Sequence, residues 1–141
     1  MLLIISPVIV YFLWPSDQAR IKRLFKEGAK AVEARKVDDV MSKISYSYTD
    51  RHGLSYLALK QGMERVFKEM QNIRVEYEIT QIDVRDKTAT AGIDVRVIAS
   101  YGKDTGYVLG DAARPAHLEF SLEKERTSWL ITGSEGISAN F

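Results

Sequence analysis

Apolar positions recur at helical spacing through the first half of the chain and at every second position through the rest. After an uncharged opening run, MLLIISPVIVYFLW, the chain turns polar at Pro15-Ser16-Asp17. Ser16 is placed to cap a helix, and Asp17 falls in its first turn, where a carboxylate meets the positive end of the helix dipole. Ile21, Leu24, Phe25, Gly28, Ala29 and Val32 follow as one apolar stripe. The segment 37–44 predicts a second, short helix with Val37, Val40, Met41 and Ile44 inward. Tyr46-Ser47-Tyr48-Thr49-Asp50 alternates with period two and predicts a short strand, closed by the turn Asp50-Arg51-His52-Gly53. A third helix, capped by Ser55, carries Tyr56, Leu59, Met63, Val66, Phe67 and Met70 on one face.

After Asn72 the period becomes two. Val75, Tyr77 and Ile79 point one way, whereas Ile82 and Val84 continue in the opposite phase, which predicts a bulge near Thr80-Gln81. Asp86-Lys87 reads as a tight turn. Ala89, Ala91, Ile93, Val95, Val97 and Ala99 make the apolar face of the next strand, against Thr88, Thr90, Asp94 and Arg96. Tyr101 to Gly110 is a glycine-rich connection with an apolar tip at Tyr107, Val108 and Leu109. It reads either as a lid or contact loop or as an extra strand pair. Leu118, Phe120 and Leu122 then alternate with His117, Glu119, Ser121 and Glu123, and a last strand runs from about Trp129 to Ile137 after a turn at Glu125-Arg126-Thr127-Ser128. Helices first and an antiparallel meander afterwards predict an α+β fold, with three helices packed on one side of a curved sheet. A bulged sheet bends, and a bent sheet closed by helices makes a cone with a cavity.

Composition narrows the function without naming it. The 141 residues carry a net charge of +1, so no overall field favours nucleic acid, and no phosphate-binding glycine pattern occurs. Cysteine is absent and histidine is limited to His52 and His117, which removes thiol chemistry and histidine-rich metal sites. No cofactor is implied.

The opening run divides the chain into a hydrophobic segment, 1–15, and a single domain, 16–141. The run is short for a bilayer span, lacks the basic start and small-residue cleavage site of a secretory signal, and is apolar on every face. It reads as a signal anchor, with a cleaved signal or a core segment as the other readings and a true start upstream of Met1 as a corollary. Tyr11 and Trp14 suit a membrane interface. The implied location is the bacterial inner membrane, with the domain on the exported, periplasmic side. The basic residues between Arg20 and Lys36 read as a solvated helix face.

The element order, the segment from Ala31 to Val40, the turn Tyr48-Thr49-Asp50-Arg51-His52-Gly53 and the closing Trp129-Leu130-Ile131 together resemble the nuclear transport factor 2-like superfamily, which includes ketosteroid isomerases and polyketide cyclases. The resemblance covers about Ser16 to Ile137 and is strongest to its membrane-anchored bacterial members. It implies a cone-shaped, cystatin-like fold and leaves function open, because the fold hosts enzymes, ligand binders and interaction modules.

Isomerase-like members use an acidic base with hydrogen-bond donors in the cone. Here the inward strand positions are apolar, and Asp94, Arg96, Glu119 and Glu123 fall on the opposite face. The polar cluster best placed for a cavity mouth is Tyr46, Tyr48, Asp50, His52 and Tyr56. With Tyr77, the tyrosines and Asp50 are the candidate ligand-binding residues. His52 reads as a turn residue and His117 as a surface residue. Turn chemistry also accounts for Asp50 and Gly53. The leading expectation is a membrane-tethered binding or assembly module that holds a small apolar ligand or a protein segment and dimerises through the polar sheet face. The alternative is an isomerase- or cyclase-like enzyme with Asp50 as general base and Tyr48 or Tyr56 as donors.

Overall fold

A computed structural model describes residues 16–136. Within them lie three helices, α1 (Asp17–Glu33), α2 (Val37–Met41) and α3 (Tyr56–Glu69), followed by five strands, β1 (Met70–Arg85), β2 (Thr88–Tyr101), β3 (Asp104–Leu109), β4 (Ala116–Glu125) and β5 (Ser128–Glu135). The α+β class expected from the sequence is observed, with the helices packed on a curled antiparallel sheet.

Local chemistry sets the helix ends. Ser16 and Ser55 each accept a backbone N–H three residues on, from Ala19 and Ala58, and so satisfy amides that a helix start leaves unpaired. At the far end of α1, Lys36 N donates to Ala31 O and Arg35 N to Val32 O, a Schellman closure. The left-handed position is taken by Arg35 (φ 55°) rather than glycine. Its side chain offsets that cost, because Nη1 donates to the carbonyls of Phe67 and Met70 where α3 passes into β1. The α1–α2 corner is thereby tied to the start of the sheet.

The sheet order is β1-β2-β4-β5, with β3 also paired to β2. Strand β1 covers one edge of β2. The other edge is shared, since β3 pairs residues 97–101 and β4 pairs residues 88–95. The glycine-rich stretch is therefore a hairpin strand, the second of its two expected readings, and residues 110–115 are an excursion between two collinear strands. The bulge expected near Thr80-Gln81 is present as a register shift between Ile79 and Gln81, and a second shift lies between Gln71 and Arg74. Bulges sharpen twist and bend a strand, which curls the sheet around α1.

Two core clusters result. Ile21, Leu24 and Phe25 of α1 pack with the inner faces of β2, β4 and β5, and Ala31, Val40, Phe67, Met70, Ile73 and Ala99 close the other end.

Three expectations need correction. Tyr46–Asp50 forms no strand; Ile44 and Thr49 make isolated bridges only, and Tyr48 N turns back onto Ser45 O. Met70 belongs to β1 rather than to the third helix, its backbone already extended as the C-cap of α3. The expected anchor over residues 1–14 lies outside the described residues, and among the described residues no helix is long and apolar enough to cross a membrane. The placement at a bacterial inner membrane is corrected accordingly, since the structure supports no single N-terminal anchor.

Candidate functional site

The inner face of the sheet and the underside of α1 line a partly open cavity of about 200 Å³. Helix α1 contributes Leu24, Phe25, Gly28, Ala29 and Val32; the α2 region contributes Val40, Lys43 and Ile44; α3 contributes Met63. The sheet supplies Val75, Tyr77, Ile93, Val95, Leu118, Phe120 and Ile131. Of the strand positions expected to face a pocket, Ile93, Val95, Leu118 and Phe120 are in this lining; Ala89, Ala91 and Leu122 are buried in the same core cluster without reaching the cavity, and Val97 packs against that cluster. The alternation of β2 and β4 delivers these side chains inward.

Gly28 explains why the space stays open. A glycine inside a helix costs about 1 kcal/mol relative to alanine, so it needs a reason. A Cβ built at Gly28 would meet nothing within 4 Å, so close packing is not the reason; the missing side chain leaves volume in the cavity. The sequence places Gly28 and Ala29 side by side in an otherwise bulky stripe, which is the signal for this gap.

Lys43 is the one charged residue in the lining, and its ammonium is hydrogen-bonded to the carboxylate of Glu27. That bond holds the Glu27 carboxyl below the usual carboxylate range. The Lys43 backbone is fixed on β5, where Ile131 N donates to Lys43 O at 2.9 Å. Tyr77, 36% exposed, stands at the cavity and also lines an open groove of about 790 Å³. The groove is walled by Lys22, Arg23, Lys26, Glu27 and Lys30 of α1 and by Ile79 of β1.

The structure does not assemble the expected tyrosine–carboxylate cluster. Tyr48 is buried, and its hydroxyl lies 2.7 Å from the Ser134 hydroxyl; burial first, and the nearby Asp50 charge, push its acidity down and keep it protonated. Tyr46 is 86% exposed, with its ring stacked at a tilt 4.7 Å from that of Tyr56. Asp50 Oδ1 accepts the backbone N–H of His52 and of Leu54, both at 2.9 Å, the turn chemistry that its short carboxylate favours. Among the described residues no hydrogen bond joins Asp50 to Tyr48 or Tyr56. Of the five candidates Tyr46, Tyr48, Asp50, Tyr56 and Tyr77, only Tyr77 is in the cavity lining. The geometry therefore gives Asp50 no station as a base acting in the cavity, and the lining offers no acid–base pair beyond the Lys43 ammonium and the Tyr77 phenol.

On the opposite face of the sheet, Asp94 and His117 are directly paired across β2 and β4. His117 Nδ1 lies 2.7 Å from Asp94 Oδ1, and Nε2 lies 3.4 Å from Glu119 Oε1. Asp94 and Glu119 thus lie on the outer face, as their strand alternation predicts, and opposite charges on directly paired strand positions support one another.

No protein-family model matches the chain, and no curated protein matches it in sequence. Solved structures do match. A ketosteroid isomerase-like protein from Erwinia carotovora atroseptica aligns with a TM-score of 0.65 at 15% identity, over 89% of this chain and 99% of that one. A nuclear transport factor 2-like protein of unknown function from Shewanella oneidensis aligns at 0.62 and 15% identity, over 84% and 97% of the two chains. A protein with a cystatin-like fold from Nostoc punctiforme aligns at 0.62 and 14% identity, over 84% and 87%. At these identities the likeness establishes the fold alone, a cystatin-like arrangement of helices on a curled antiparallel sheet, and leaves the activity to be argued from the site.

Proposed function

We propose that this chain is a binding module whose cone holds a small, mostly apolar ligand. The observation that carries this reading is the cavity itself, about 200 Å³ in volume, with Lys43 its one charged lining residue and Gly28 facing open space. Ligand sites are typically apolar clefts with a few polar groups that set orientation. The volume lies below the ~300–1,000 Å³ common for such clefts, so the occupant is small. Burial of its apolar surface would supply roughly 25 cal/mol per Å², and the Tyr77 hydroxyl and the Lys43 ammonium are the groups available to orient it.

The name of the Erwinia neighbour, ketosteroid isomerase-like, is compatible with an apolar occupant. The lining of this cone favours binding over proton transfer. Native mass spectrometry of the full chain tests the proposal. A retained small molecule that disappears in Gly28→Leu is the expected result. Absence of any retained molecule, together with no methyl shift changes when small apolar compounds are titrated in, overturns it. Pairing of two copies through the polar sheet face belongs to the same proposal, and light scattering that finds a monomer would remove it.

A further inference from the structure

The groove outside the cavity has a composition that a merely solvated helix face does not require. Lys22, Arg23, Lys26 and Lys30 converge on it, and none of the four makes an ion pair among the described residues. Its one carboxylate, Glu27, is bonded to Lys43 and also lies in the field of Arg23 and Lys30. Alongside these charges lie Tyr77 and Ile79, an aromatic and an aliphatic side chain of β1.

Two connections link the groove to the cavity. Tyr77 lines both, and the Glu27–Lys43 pair spans them, with Glu27 lining the groove and Lys43 the cavity. A molecule seated in the cavity and emerging beside Tyr77 would meet the cations of this helix face. Cationic clusters at a cleft attract anions and raise their local concentration, and a positive head would be repelled there.

We propose that the ligand is an amphipathic anion, with an apolar body in the cavity and a carboxylate in the groove beside Tyr77, facing Lys22, Lys26 and Lys30. The inference rests on the ligand-binding reading of the cavity. Each methylene occupies about the volume of one liquid water, ~30 Å³, so the body has room for roughly six to eight carbons. Glu27 shows that a carboxylate is already held at this boundary, bonded to Lys43.

Three eight-carbon probes with different heads test this: octanoate, whose apolar body is one methylene shorter, 1-octanol and octylammonium, titrated into the full chain and followed by NMR shifts. Octanoate should bind about fivefold or more tighter than octanol at low salt, with octylammonium weakest, and the preference should shrink at high ionic strength. The triple variant Lys22→Gln/Lys26→Gln/Lys30→Gln should remove the preference without weakening octanol, whereas Lys103→Gln, in the β2–β3 turn, should leave it intact. Octanol binding as tightly as octanoate, with Gly28→Leu abolishing both, would overturn the anionic head and leave the cavity reading standing. Octanoate binding that survives Gly28→Leu would mean simple surface attraction and would also overturn the proposal. If none of the three binds, the cavity reading falls and the inference falls with it.

Discussion

The hydroxyls of Tyr48 and Ser134 lie 2.7 Å apart, and both residues are buried, so a phenol from the turn after α2 is bolted to the last strand. A buried hydrogen bond of this kind contributes about 1 kcal/mol, and a partner left unsatisfied costs about 1–3 kcal/mol. Tyr48→Phe and Ser134→Ala should each destabilise by about 1–2 kcal/mol in urea unfolding. The double variant should cost less than the sum by about 1 kcal/mol. Strict additivity would show that the two hydroxyls do not support one another.

Gly28 separates stability from binding. Gly28→Ala should raise stability by about 0.5–1 kcal/mol, because it removes a helical glycine at a position where the new Cβ meets nothing. Gly28→Leu should retain stability near that of the natural chain while filling the cavity. A clear loss of stability in Gly28→Leu, read from the urea midpoint, would show that the space beside α1 cannot accept a side chain.

His117 should titrate above the ordinary histidine value of 6.5. Its bond to Asp94 is the largest cause and its bond to Glu119 the second, and Glu78, the β1 partner of Asp94, adds negative charge to the same row. Because the folded value is raised, any stability this cluster contributes is complete below the unfolded value and is lost as pH rises through the folded one. An NMR titration of the ring proton should therefore give a midpoint above 6.5, lowered by Asp94→Asn and lowered less by Glu119→Gln. A midpoint unmoved by Asp94→Asn would sink this account.

The parts of the fold that local chemistry determines were readable in the sequence. Ser16 and Ser55 announce their helices because a cap needs only its own next turn. The reversal of phase from Ile79 to Ile82 announces the bulge, since inward-facing positions must stay inward. Tyr46–Asp50 misled because period two resembles a strand, whereas Ser45, fully buried, folds the segment back and turns Tyr48 alone inward. The hairpin strand β3 depends on the free edge of β2 from Val97 to Tyr101, a partner that its glycines do not reveal. The cavity depends on how far α1 stands from β2 and β4, a distance that no local pattern records. Gly28 and Ala29 marked its position but not its size.

Asp17 binds the first described helix to the last strand pair. Its Oδ1 accepts Trp129 Nε1 at 3.0 Å and Lys124 Nζ at 3.2 Å. The tryptophan bond is the largest cause holding its carboxyl below the ordinary 3.8, with Lys124 adding to it against a partial desolvation cost. For a depressed carboxyl, the stabilising contribution is complete above the unfolded value and fades as pH falls through the folded one. Its side chain is 37% exposed, so solvent screening keeps the contribution to about 1 kcal/mol or less. Asp17→Ala should lose that amount near neutral pH, when stability is measured by urea unfolding. The gap between the two proteins should narrow once pH falls below the ordinary 3.8, and close as the natural carboxyl takes up its proton at its lower folded value. A gap that stays constant down to acid pH would assign the effect to helix capping or packing and not to the ionised carboxylate between Trp129 and Lys124.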